Sequence, residues 1–158
     1  RYDEGEASIT KEKVDLVDVT KNIVGELQSV LDEKGLQVAF IGNDSSVVST
    51  NKEAVSELIR ILLDNAIKYT VGSSTITVSA KEHQISFENY TEPITKEQVS
   101  PLFDRFYRVD SSRNRATGGS GLGLAIAQKI AETNQVRLSA ELISDHQIRF
   151  VIDGEENG

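Results

Sequence analysis

Thr50-Asn51-Lys52-Glu53-Ala54-Val55-Ser56-Glu57-Leu58-Ile59-Arg60-Ile61-Leu62-Leu63-Asp64-Asn65-Ala66-Ile67-Lys68-Tyr69 is the stretch on which the fold turns. Thr50 and Glu53 have the spacing of a capping box, in which a hydroxyl and a carboxylate satisfy free backbone N–H groups at a helix start. Behind them Val55, Leu58, Ile59, Leu62, Leu63, Ala66 and Ile67 recur at helical spacing. The stretch therefore predicts a long amphipathic helix, ending near Tyr69, with one face in a core. At roughly 100° per residue, Ile61, Asn65, Lys68 and Tyr69 share one narrow arc. That arc lies between the apolar face and the charged face of Glu53, Glu57, Arg60 and Asp64. An amide oxygen, an ammonium and an aromatic ring on such a seam suit a divalent metal, a phosphate and a base. They equally suit an Asn satisfied by backbone, a snorkelling Lys and a Tyr packed at a helix end. On the residues alone, both alternatives stand.

Upstream of this helix, residues 1–13 are polar and aperiodic, as the end of a linker would be. Val14 to Val19 reads as a short extended entry. Thr20 is then placed to cap a helix carrying Ile23, Val24, Leu27, Val30 and Leu31, with Gly35 as its C′ residue. Gln37 to Ile41 predicts a strand ended by a Gly42-Asn43-Asp44 turn. Downstream, Thr75–Ala80 and Gln84–Phe87 alternate with period two, like a half-buried hairpin. A short helix is expected over Lys96–Phe106, a loop over Asp110–Ser120 and a helix over Gly121–Thr133. Strands over Arg137–Leu142 and Gln147–Ile152 close the pattern, before an acidic tail at 155–158. The sum is one α+β domain over residues 14–154, a two-layer sandwich with a mixed sheet and about three helices on one face.

The last of those helices opens on Gly118-Gly119-Ser120-Gly121-Leu122-Gly123-Leu124. Glycines let backbone N–H groups approach an anion closely, and a helix start adds free donors and a positive dipole end. Phosphate is the natural ligand; a flexible hinge before a helix is the alternative. No Lys-Ser/Thr follows, so this is not a Walker loop, and no strand precedes it, unlike a dinucleotide fingerprint. Arg105, Arg108, Arg113 and Arg115 cluster just before it, and the arginine fork suits phosphate oxygens.

Composition narrows the field. The 158 residues are 38% hydrophobic and 27% charged, within the soluble globular range. A chain of this length buries roughly 70% of its unfolded surface, enough for one core without staples. The absence of cysteine excludes thiol catalysis, zinc ribbons and disulfide frameworks. A net charge of −8 argues against general nucleic-acid binding. There is no secretory leader pattern and no long apolar run. With no Met and a start at Arg1, the chain is expected to be a piece of a longer protein.

In this order, the pieces resemble the catalytic, ATP-binding domain of bacterial two-component sensor histidine kinases. Leu62-Leu63-Asp64-Asn65-Ala66-Ile67-Lys68-Tyr69-Thr70 is similar to that family's N box. Pro101-Leu102-Phe103-Asp104-Arg105-Phe106-Tyr107-Arg108 is similar to its F box, and Gly119 to Ala127 to its second glycine box. The resemblance implies the Bergerat ATP-binding fold. It implies that Asn65 coordinates Mg²⁺, Lys68 reaches a phosphate and Tyr69 lies along the adenine. Gly119, Gly121 and Gly123, with the backbone of Leu122 and Leu124, would bind phosphates, and Asp110–Gly118 would be a lid. Arg105 or Arg108 would lie near the triphosphate, with Phe106, on the residues alone a core residue fixing the base of that loop, also in the ATP-binding set.

Two departures from the pattern stand out. Ile61 occupies the position of a second Asn one turn before Asn65, and the first glycine box is replaced by Phe87-Glu88-Asn89-Tyr90-Thr91-Glu92-Pro93-Ile94. Asn89 then stands where an adenine-reading Asp belongs, with Ile94 closing that side. An Asn can accept from the adenine amino group and donate to N1. ATP binding is expected to persist, weakened. Neither His83 nor His146 lies in a phosphoacceptor helix. The expected reaction is therefore transfer of the ATP γ-phosphoryl group to a histidine on a dimerisation domain preceding Arg1, for relay to a response regulator. A pseudokinase docking module is the alternative. Other Bergerat ATPases, which place a Glu one turn before the metal-binding Asn, fit less well with Ile61. The resemblance also implies the cytoplasmic part of a membrane-anchored sensor. By itself the fragment is expected to be monomeric, with no nucleic-acid partner.

Overall fold

The computed structural model describes residues 10–99, 102 and 121–154, with only the backbone of 121–123. Its elements are β1 (Glu12–Asp15), α1 (Leu16–Glu26), α2 (Gln28–Lys34), β2 (Gln37–Gly42), β3 (Val47–Thr50) and α3 (Lys52–Tyr69). Then follow β4 (Thr75–Lys81), β5 (Gln84–Tyr90), α4 (Lys96–Val99), α5 (Gly121–Thr133), β6 (Arg137–Ser144) and β7 (Gln147–Asp153).

Five strands form a mixed sheet in the order β2-β4-β5-β7-β6, with only β2–β4 parallel. Strand alternation sorts its two faces. Ile76, Val78, Ile85, Phe87, Ile148, Phe150 and Ile152 are buried on one face. There all but Ile76 form a common core with residues of α1, α3 and α5, such as Ile23, Leu58, Leu62, Ala127 and Ile130, while Ile76 packs with Leu31, Leu36, Ala66 and Ile67. The opposite face is polar. On it Arg149 lies opposite Glu88 on one side and Glu141 on the other. Its Nε and Nη2 donate to Glu88 Oε1 at 3.1 and 3.0 Å, and its Nη1 donates to Glu141 Oε2 at 3.0 Å. Partial burial lowers the guanidinium pKa, but the hydrogen bonds to Glu141 and Glu88 outweigh it, and the net direction is up. The α/β sandwich with three helices on one face is as expected.

Helix α3 spans the periodic stretch, with Leu58, Ile59, Leu62 and Leu63 almost fully buried. Its cap is Asn51, whose Oδ1 accepts from Ala54 N at 2.8 Å. Thr50 does not cap; it ends β3, and its buried hydroxyl donates to Asn134 O at 3.1 Å. Nor does Thr20 cap α1. Asp15 does, accepting from Val17 N at 3.1 Å and from Ser46 N at 3.0 Å, while Thr20 Oγ1 donates to Leu16 O inside the helix. The expected single helix is two, broken at Leu27, whose N–H is shared between Ile23 O and Val24 O. Gly35 ends α2 at φ 71°, where a side chain would be strained and its Cβ would meet Ser73 Oγ at 2.7 Å, so glycine is favoured. Strand β3, which the sequence patterning missed, pairs antiparallel with β1. Of the helix expected over 96–106, Lys96–Val99 is helical and Leu102 is buried; the remainder lies outside the described residues.

Candidate functional site

Asn65 lies one turn before the end of α3 and is half-buried. Its Nδ2 donates to Ile61 O at 2.9 Å, which turns the amide so that Oδ1 is the atom left to accept or ligate. Ile61 itself is half-buried and packs its side chain against the core. Lys68 is exposed, with Nζ 3.8 Å from Asp64 Oδ2 one turn earlier. An exposed pair of this length contributes at most about 1 kcal/mol, so the ammonium is readily redirected to a stronger anion. Tyr69, half-buried, is the last residue of the helix.

Past Tyr69, the chain is fastened to β5: Val71 N donates to Tyr90 O at 3.2 Å. Asn89 therefore stands close to the end of α3. It is 3% exposed, on the helix-facing side of β5 two residues beyond Phe87, and its Nδ2 donates to Tyr90 O at 3.3 Å. The segment that replaces a glycine-rich turn is stapled to the β6–β7 turn, with Thr91 N donating to His146 O and Ile94 N to Asp145 O. Ile94 is buried.

Helices α3 and α5 pack on each other. Thr50, just before α3, bonds Asn134, just after α5, so the two helices run in opposite directions. At about 1.5 Å per residue, the thirteen residues of α5 span about 20 Å, which carries its start back to the level of Asn65 and Lys68. Gly121 and Gly123 thus bring a helix N-terminus, with free N–H groups and a positive dipole end, alongside that seam. Leu124 is buried beneath them.

Fold and packing therefore gather Asn65, Lys68, Tyr69, Asn89, Gly121, Leu122, Gly123 and Leu124 at one end of the α3–α5 pair. Arg105, Phe106, Arg108, Gly119 and the expected lid lie outside the described residues. His83 and His146 sit in turns, with His83 Nδ1 donating to Val47 O at 2.7 Å. Among the described residues, no three His, Cys, Asp or Glu side chains cluster as a metal cage. No described helix is long and apolar enough to cross a membrane. Sequence reasoning did not find the carbonyl of Tyr90, which receives both Val71 N and Asn89 Nδ2; a backbone acceptor leaves no side-chain signature.

Residues 50–155 match the model of the histidine kinase-, DNA gyrase B- and HSP90-like ATPases. Among curated proteins, the signal transduction histidine-protein kinase BaeS of Escherichia coli K12 is 34% identical over 142 residues, covering 87% of this chain and 30% of BaeS. The sensor histidine kinase YkoH of Bacillus subtilis is 35% identical over 130 residues, covering 81% of this chain and 28% of YkoH. The chain thus spans about a third of the length of these relatives. Among solved structures, the catalytic domain of histidine kinase ThkA superposes with a TM-score of 0.75 at 19% identity, covering 91% of this chain and 96% of that one. Full-length ShkA, solved with AMPPNP, gives 0.74 at 16% identity, covering 93% of this chain and 31% of ShkA. A seam of Asn65 and Lys68 facing a helix N-terminus on this sandwich, and a family match over most of the chain, have one common meaning: the chain belongs to the histidine kinase-, DNA gyrase B- and HSP90-like ATPase family, as a histidine-kinase-type ATP-binding catalytic domain.

Proposed function

We propose that the domain binds ATP at the α3–α5 end and transfers its γ-phosphoryl group to a histidine on a dimerisation domain of the parent protein, from which it passes to a response regulator. The observation that carries this is the antiparallel packing that sets Asn65 and Lys68 beside the N-terminus of α5. Residues 1–13 would be the end of the linker from that dimerisation domain, 14–154 the catalytic domain and 155–158 a tail. The parent would be a membrane-anchored sensor with this part in the cytoplasm.

Each residue has a defined part in this reading. The donor set suits a hard cation: Asn65 Oδ1 is directed by the bond from its amide to Ile61 O, and phosphates supply the remaining oxygens. Bound there, Mg²⁺ would neutralise charge on the phosphates. Lys68 exchanges Asp64 for a phosphate oxygen. The backbone of Gly119, Gly121, Leu122, Gly123 and Leu124 would donate N–H groups to phosphate, and Arg105 or Arg108 would add a guanidinium to the triphosphate, with Phe106 also in the ATP-binding set. Tyr69 and Ile94 flank the adenine, and Asn89 reads its edge. Catalysis is positioning plus electrostatic stabilisation of the transferring group, with no general base among these residues.

The test supplies a separate histidine-bearing dimerisation domain and ATP radiolabelled at the γ-phosphate. Label is expected on the histidine, and Asn65→Ala is expected to abolish it. Transfer unchanged in that variant overturns the metal-site assignment. ATP binding by the unaltered chain without any transfer overturns the kinase reading in favour of a binding module.

A further inference from the structure

At the end of the α3–α5 pair remote from Asn65, the entering chain is fastened to both helices at once. The amide of Asn51 is divided between two tasks: Oδ1 caps α3 through Ala54 N, and Nδ2 donates to Thr10 O at 3.0 Å. Lys11 Nζ donates to Gln135 Oε1, across more than a hundred residues of sequence. Glu12 to Asp15 then pair with Thr50 to Val47 as β1–β3, and Thr50 Oγ1 holds Asn134 O. Three consecutive steps of the entering chain are thus tied to the N-cap of α3 and the C-terminal cap of α5.

That cap is held under local strain. Gln135 is the one non-glycine residue with positive φ among the described residues, at 64°. It occupies the αL position that closes α5, with Val136 N donating to Ala131 O at 3.1 Å. A side chain there costs about 1 kcal/mol relative to glycine. Beside it Asn134 is 4% exposed; its Nδ2 donates to Ile130 O, but its Oδ1 has no partner among the described residues. An unpaired buried acceptor costs about 1–3 kcal/mol. Lys11 bonds Gln135 directly, and β1 pairs with the strand whose Thr50 holds Asn134 O, so both residues of this cap are connected to the entering chain.

We infer that residues 10–15, Asn51 and Asn134–Gln135 form a latch through which the entering segment sets the relative position of α3 and α5, and with it the nucleotide site at their opposite ends. Rigid helices transmit a displacement at one end to the other, about 20 Å away. With the latch closed, the α5 start is held alongside Asn65 and Lys68; with it released, the pair shears and the site loosens. The inference rests on the nucleotide site proposed above, and its first readout does not require nucleotide.

The test uses the chain carrying Asn51→Asp with Lys11→Met. The aspartate keeps an oxygen for Ala54 N but loses the donor to Thr10 O, and the methionine removes the ammonium, so both helices keep their caps. Without nucleotide, hydrogen exchange is expected to rise at residues 10–15 and, roughly fivefold, at 66–70 and 124–127. The Kd for the non-hydrolysable ATP analogue AMPPNP is expected to rise by a similar roughly fivefold factor. Arg60→Ala, which breaks the exposed Arg60–Glu26 pair between α3 and α1, serves as control and is expected to change neither. Exchange that rises at 10–15 but not at 66–70 or 124–127 overturns the latch, as does continued protection at 10–15. Absence of AMPPNP binding by the unaltered chain, with the exchange response intact, instead overturns the nucleotide site and leaves the mechanical coupling established.

Discussion

Replacing Ile61 by Asn should move stability and nucleotide affinity in opposite directions. Ile61 is half-buried at the edge of the core, on the same arc of α3 as Asn65. Full burial of an Ile side chain contributes about 2–3 kcal/mol, so half of that, about 1–1.5 kcal/mol, is lost with the side chain. Lower helix propensity adds a few tenths, which brings the cost to about 1.5 kcal/mol. For a domain of this size that lowers Tm by about 3–6 °C. The new amide stands one turn before Asn65 and offers one further charge-assisted hydrogen bond or ligand to the phosphate–metal group. Such a contact contributes about 1.5 kcal/mol, or roughly tenfold in Kd. Scanning calorimetry measures the first effect, and isothermal titration with Mg-AMPPNP measures the second. An unchanged or weaker affinity in a variant that still unfolds cooperatively would refute the placement of this arc against the phosphates.

Other expectations follow from local geometry. Asn51→Ala removes the α3 cap and should cost about 1 kcal/mol in urea unfolding, whereas Asn51→Asp keeps the cap and should cost less than half of that. Gln135→Gly relieves the positive φ and should raise stability by about 0.5–1 kcal/mol, read as an increase in Tm. Arg149→Met leaves Glu88, which is 16% exposed, with the bond from Gln147 Nε2 at 2.6 Å but no cation, and should cost about 1 kcal/mol by urea unfolding. Because the Arg149 pKa is raised, its ion pairs contribute fully below the unfolded value and are lost only as the pH rises through the folded one, far above neutrality; the variant's deficit should therefore stay constant from pH 6 to 9.

The parts of the fold legible from sequence were those that local periodicity encodes. Helix α3 was clear because eighteen residues repeat one apolar face, and the seam of Asn65, Lys68 and Tyr69 followed from the same angle. Its cap was displaced by one residue because Thr50 and Asn51 are both competent, and only the tertiary bond from Thr50 to Asn134 decides between them. The Val14–Val19 stretch satisfies period two as well as helical spacing; what resolves it is Asp15, which ties the start of α1 to Ser46. Strand β3 is four residues long, and its partner lies more than thirty residues away, so no window contains the pair. The meeting of Asn89 with the end of α3 likewise depends on sheet order. The resemblance gave no sheet order either; it implied only that Asn89 and Tyr69 share the adenine.

The position of β7 has a consequence for synthesis. β7, made after the other described strands of the domain, is inserted between β5 and β6, with a neighbour on each side. Until Gln147–Asp153 has emerged, β6 has no place to pair and Phe87 lacks its partner Phe150. The domain therefore cannot mature progressively from its N-terminus; nascent chains wait with an exposed strand edge, the condition in which chains pair with one another instead. A stop codon ahead of Gln147 would remove an interior member of the sheet rather than trim its border, leaving the edges of both β5 and β6 unpaired.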